Sequence, residues 1–132
     1  MALSKNDNED SLRIDTEQVA AAGVNILKLT GVVDAHTYQD LEAAFEELFD
    51  DDAVKLIVDV YSVRYVSSAG IGVFIGALAR TRQLGGDLLL INVTPAVRDV
   101  LQVLGLLTMF VIAPTKQAAL VYYARRTAAL RK

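Results

Sequence analysis

The chain has 132 residues, 53% of them hydrophobic and 22% charged, enough apolar material for one well-filled domain and too much for a disordered or collagen-like chain. It contains no cysteine and a single histidine, His36, which excludes disulfides, thiolate nucleophiles, zinc fingers, iron–sulfur clusters and any multi-histidine metal site within one chain. Thirteen basic against sixteen acidic residues give a net charge of −3, without the basic excess of a nucleic-acid binder.

Residues 1–10 (MALSKNDNED) lack the continuous apolar stretch of a signal peptide and read as a mobile polar lead-in to a single domain over residues 11–132. No apolar run approaches the length needed to span a bilayer, so a soluble cytoplasmic domain is expected. Leu12 to Glu17 alternates apolar and polar side chains as an edge strand does, and Val19 to Gly23 supplies a turn. Val24 to Thr30 alternates as a second strand, punctuated by Gly31. Asp34 to Phe49 predicts a helix, because Leu41, Ala44, Phe45, Leu48 and Phe49 form one stripe of 3.6-residue period. Asp34 or Thr37 is placed to accept its first free amides. The run Asp50 to Asp52 lacks the spaced oxygens of an EF-hand and reads as a solvated turn.

Leu56 to Val60 (LIVDV) and Asp87 to Val93 (DLLLINV) are apolar without alternation, as strands covered on both faces are. Between them Ser68 to Leu84 predicts a helix that stops at Gly85–Gly86. Thr94 as cap and Pro95 in the first turn open another helix through Leu104. Phe110 to Ala113 reads as a short strand, and Lys116 to Arg131 as a last helix. Strands alternating with helices predict an α/β fold whose sheet is mainly parallel, with the first two strands antiparallel across their short turn.

The segment from Asp59 to Ala77, DVYSVRYVSSAGIGVFIGA, leads from a buried strand through a hydroxyl-rich loop into a glycine-studded helix. Ser67 and Ser68 fall in its N-cap region, where a hydroxyl caps free amides and where the helix end also favours an anion. At 100° per residue Ile71, Phe74, Ile75 and Leu78 face the core, whereas Val73, Ala77, Arg80 and Leu84 point away. That makes Val73 and Ala77 a candidate docking spot one turn beyond the serines. Gly72, Gly76 and Ala79 form a bulk-free stripe, open to close approach by the protein's own sheet or by a partner. The glycine spacing fails the dinucleotide fingerprint, no GK[ST] follows, and no GxSxG surrounds either serine.

The stretch YVSSAGIGVF preceded by LIVDVYSV resembles the STAS-domain family, in particular the bacterial anti-anti-sigma factors (anti-sigma factor antagonists). LTGVVDAHT, Leu29 to Thr37, is similar to that family's strand-end motif LTGELD, and GGDLLLINVTPAVRDVLQVLGL to its strand followed by a Ser/Thr-Pro helix start. In order, these motifs span about Leu12 to Leu130. The resemblance implies a mixed four- to five-stranded sheet with about four helices packed mainly on one face. It further implies a non-enzymatic partner switch with no cofactor or metal. The unphosphorylated protein would bind an anti-sigma serine kinase, which phosphorylates it, and a PP2C-type phosphatase would reverse the modification. In the family's Asp-Ser-[Ser/Thr]-Gly pattern Ser67 stands at the Asp position, Ser68 at the phosphoacceptor position and Ala69 at the second hydroxyl position. Asp34 matches the acidic residue near the acceptor.

Ser68 is thus the expected phosphorylation site, with Ser67 second, and Asp34, Ser67, Ser68, Ala69, Gly70, Val73 and Ala77 are the expected partner-binding residues. The partners expected are the kinase and the phosphatase, with neither nucleic acid nor membrane. Two other classes stay open at this point. One is a STAS subunit of a stressosome, transporter or lipid-trafficking complex. The other is an anion- or nucleotide-binding module built on the same helix start.

Overall fold

The computed structural model describes residues 11–130, so residues 1–10 and the end of the last predicted helix lie outside the described residues. Five strands, β1 (Leu12–Val19), β2 (Val24–Val33), β3 (Lys55–Val66), β4 (Asp87–Ile91) and β5 (Val111–Ala113), lie side by side in that order. β1 is antiparallel to β2 and the other pairings are parallel. The helices are α1 (Tyr38–Asp50), α2 (Ser68–Gln83), α3 (Pro95–Val103) and α4 (Lys116–Leu130).

Each crossover from β2 to β5 adds its strand to the same growing edge. Crossovers of one hand then place their helices on one face of the sheet. Accordingly Leu41 and Phe45 of α1, Phe74 and Leu78 of α2, and Val97 and Leu101 of α3 share one core with Leu27, Leu29, Val58 and Leu90. α4 follows the last strand and is no crossover. It covers the opposite face, where Ala119 and Tyr123 pack on Val24, Ile26, Ile57, Leu89 and Ile91. β4 is buried on both sides, which accounts for its unbroken apolar run.

β2 and β3 run farther than their sequence pattern suggests. β2 continues through Gly31 to Val33, and β3 continues past Val60 to Val66 through what reads as a loop. The pairing slips twice, between Lys28 and Thr30 and between Gly31 and Val32, each time with one extra residue in β3. Val60, Val63 and Val66 therefore all turn into the core at intervals of three. Bulges remove the alternation that reveals a strand. Gly31 has φ 118°, in a region that favours glycine, and an added Cβ would collide with the Ser11 carbonyl.

The predicted helix starts shift for similar reasons. α1 begins at Tyr38, four residues after Asp34, because residues 34–37 form a turn in which Tyr38 N donates to Asp34 O at 2.9 Å. Thr37 occupies the cap position without capping the helix. Its hydroxyl donates to Val32 O at 2.9 Å and accepts from Asp34 N at 3.0 Å. Thr94 precedes Pro95 in extended conformation, but its hydroxyl also makes no capping bond.

One end of the sheet is held by polar groups. Asp87, 4% exposed, accepts from Arg82 Nε at 3.2 Å, Tyr122 OH at 3.0 Å and its neighbour Leu88 N at 2.8 Å. The Tyr123 hydroxyl reaches both Leu56 O at 2.7 Å and Asp87 O at 2.8 Å, tying α4 to the starts of β3 and β4. Burial, helped by the Asp87 carboxylate, pushes the Tyr123 pKa far above its ordinary value. The folded chain thus keeps this proton where the unfolded chain releases it. The associated stability is whole below about pH 10 and falls as pH rises beyond it. Tyr123→Phe should cost about 1–2 kcal/mol in urea denaturation at pH 7. The gap between wild type and variant should then narrow as pH rises above about 10. A gap unchanged up to pH 11 would contradict this assignment.

Candidate functional site

The parallel strands β2 and β3 end together, with Val33 opposite Val66. The ladder hands over to the loop through one further bond, Ser67 N to Val33 O at 2.8 Å. Ser67, at φ −90° and ψ 175°, is the N-cap of α2; its hydroxyl accepts from Gly70 N at 3.4 Å and its carbonyl from Ile71 N at 2.9 Å. Gly70 is buried against β2. A Cβ there would stand 2.6 Å from Val33 Cγ1 and 2.8 Å from Val33 O, so only glycine lets the first turn of α2 sit on the strand end.

Ser68 is the first residue of α2 and is exposed, whereas Ser67 and Ala69 are half-buried. Asp34 follows Val33 directly, so the handover from β2 to α2 brings it to the same end of the sheet. Its side chain is 24% exposed and its Oδ1 accepts from His36 N at 2.9 Å. The structure thus gathers Asp34, Ser67, Ser68, Ala69 and Gly70.

Val73 and Ala77 do not join them. Both are buried, at 7% and 5% exposure, and belong to the main core instead of pointing away from it. The physical reason is α1, which lies across α2 and turns a second side of that helix inward. Arg80 stacks over the Phe49 ring at 4.8 Å and pairs with Glu46 at 3.5 Å, holding the two helices together. Ile75, assigned to the core face, is half-buried. Gly72 and Gly76 face open space at a cleft of about 270 Å³ between α1 and α2, so the glycine stripe does not pack on the sheet.

On the far side of the serines lies a groove of about 370 Å³ that the sequence reading missed. Tyr65 and Ser68 form one wall, and Asp99, Val100, Val103 and Leu104 of α3 and its end form the other. Val103 is 84% exposed, Tyr65 55% and Leu104 49%. The available signal was Val103, an apolar residue outside the Val97–Leu101 stripe that buries α3.

A family model described as the STAS domain matches residues 14–119, and the chain belongs to the STAS-domain family. It is 33% identical over 97 residues, 74% of its own length and 84% of the relative's, to a provisionally named anti-sigma factor antagonist, BtrV, of Bordetella bronchiseptica. Its fold is similar to a crystal structure of an anti-sigma factor antagonist from Mycobacterium paratuberculosis. That match has a TM-score of 0.78 and 24% identity, over 87% of this chain and 96% of the other. It is also similar to the phosphorylated form of the Bacillus cell-fate determinant SpoIIAA. There the TM-score is 0.65 and the identity 22%, over 83% and 98% of the two chains. The α/β architecture expected from the motifs is the one observed, a five-stranded mixed sheet with three of its four helices on one face. Among the described residues, no helix is long and apolar enough to cross a membrane.

The glycines of α2 separate by context. Gly70→Ala should destabilise the protein by about 1–3 kcal/mol through overpacking against Val33. Gly76→Ala, with open space at its Cβ, should stabilise it by about 0.5–1 kcal/mol. Ser67→Ala should cost up to about 1 kcal/mol by removing the cap, and Ser68→Ala should cost little. Thermal denaturation of the four variants checks the order.

Proposed function

We propose that this chain is an anti-sigma factor antagonist that binds an anti-sigma serine kinase through the surface around Ser68 and is released when that kinase phosphorylates Ser68. The observation that carries the reading is the placement of Ser68: an exposed hydroxyl on the first residue of a helix whose start is locked to the strand beneath it. The 33% identity to BtrV, provisionally named an anti-sigma factor antagonist, supports it. Ser67 is the weaker acceptor, because its hydroxyl is half-buried and engaged with Gly70 N.

A phosphoserine carries about −1.5 to −2 charges at neutral pH. On Ser68 that charge meets the partial positive end of α2, so the domain tolerates it without refolding. Its cost falls on complex formation, because a partner that docks there has to desolvate a dianion that the free protein leaves hydrated. A penalty of about 1.4 kcal/mol already lowers affinity tenfold. A PP2C-type phosphatase would restore the binding form. Asp34, fixed beside the loop, adds negative charge to the same surface. Kinase and sigma factor place this cycle in the cytoplasm.

The test titrates wild type, Ser68→Ala and Ser68→Asp against the anti-sigma serine kinases of the source cell, each purified singly. Ser68→Ala should bind and accept no phosphate. Ser68→Asp should bind more than tenfold more weakly, with a melting temperature close to wild type. Equal binding by all three proteins, or a phosphate that persists in Ser68→Ala, overturns the reading.

A further inference from the structure

We propose that the groove between Tyr65 and α3 receives an amphipathic helix of the anti-sigma kinase, with aliphatic side chains packed on Val103 and Leu104 and a lysine or arginine meeting Asp99. This inference rests on the function proposed above and adds the chemistry of the partner.

Three observations lead to it. First, the apolar residues that α3 and its end turn to the groove are ordered: Val100, half-buried against the core, and the exposed Val103 and Leu104 fall at i, i+3 and i+4, a ridge that continues outward from the Val97–Leu101 stripe holding α3 to the core. Such a ridge is the shape that a second helix accepts between its own side chains. Second, the opposite wall is the end of β3 and the start of α2, where Tyr65 offers an exposed ring beside Ser68. The groove is therefore continuous with the modification site, and a hydrated phosphate on Ser68 would stand at its mouth. Third, Asp99 is the one charged side chain among the residues lining the groove. A basic group on the partner complements it, and an acidic occupant does not. The chain's own residues 1–10 hold Asp7, Glu9 and Asp10 against Lys5, which makes them a poor match in sign.

This also explains how a modification at the edge of an apolar contact acts as a release signal. Aliphatic side chains in the groove require its mouth to be dry, and a phosphoserine keeps it wet.

The experiment measures binding of Val103→Lys, Val103→Ser and Asp99→Asn to the same singly purified kinases, beside Ser68→Asp. Val103 is the last residue of α3 and largely exposed, so both substitutions should leave the melting temperature within a few degrees of wild type. Val103→Lys should weaken binding at least tenfold and Val103→Ser by less. Asp99→Asn should weaken binding several-fold at low salt, with the difference from wild type shrinking in high salt. If Ser68→Asp loses binding while the Val103 variants bind as wild type does, the groove assignment falls and the proposed function stands. If no kinase binds wild type, both fall. A wild-type dimer by light scattering that Val103→Lys converts to monomer would assign the groove to a second copy. A tenfold gain in kinase affinity on deleting residues 1–10 would assign it to the chain's own N-terminal segment. Either result overturns the proposal.

Discussion

The close contact between Gly70 and Val33 is the constraint on which the site depends. Because residue 70 has no side chain, the first turn of α2 sits directly on the end of β2, and Ser67 N–H reaches the Val33 carbonyl at 2.8 Å. Three consequences follow from that one seat. The helix starts at a fixed place, its cap is Ser67 and not Ser68, and the next hydroxyl is left facing solvent. Asp34 is carried to the same place because it follows the strand residue on which the helix rests. A side chain at position 70 would lift the helix and dissolve all three relations together.

Much of the architecture is legible in the chain because its elements bury regular patterns. The stripe Leu41–Phe45–Leu48–Phe49 is buried in α1 as its period requires, and the continuous run of β4 is covered on both faces. Legibility fails where geometry is irregular or where burial depends on a third element. The end of β3 is disguised by two bulges, so Val60, Val63 and Val66 show neither strand nor helix period. Val73 and Ala77 lie on α2 beside the stripe of Ile71, Phe74 and Leu78, on the flank toward α1, and no local pattern announces that α1 will cover them. Thr37 and Thr94 have the composition of caps, yet the Thr37 hydroxyl is taken by Val32 and Asp34, and neither residue caps its helix. Ser68 is legible because the helix start is local, whereas the groove beside it is assembled from β3 and α3 across an intervening helix and strand.

The two ends of the parallel sheet do different work. At the amino ends of β3 and β4, a buried carboxylate with three donors and a tyrosine hydroxyl shared between two carbonyls hold α2 and α4 to the strands. A buried charge of this kind is tolerated only when it is fully partnered, and that rigidity suits a frame. At the carboxyl ends of β2 and β3, the chain presents a turn, a helix start and a groove. Open α/β sheets place their binding surfaces at that end, because loops there are free to vary without disturbing the ladder.

The separation has an electrostatic consequence. α2 starts at Ser68 and carries Arg82, beside Asp87, near its end, and its 16 residues at about 1.5 Å each put the Asp87 cluster on the order of 20–25 Å from the Ser67–Ser68 loop. The Debye length at physiological ionic strength is about 8 Å, so a charge placed on Ser68 is screened long before it reaches that cluster. On the proposed function, a charge on Ser68 therefore acts on partner affinity while leaving the contribution of the Asp87 cluster to stability unchanged. A domain built this way can gain and lose a dianion at its surface while its fold stays the same. On the proposed function Ser68 switches a partner without switching the structure, and the seat of Gly70 on Val33 keeps the two apart.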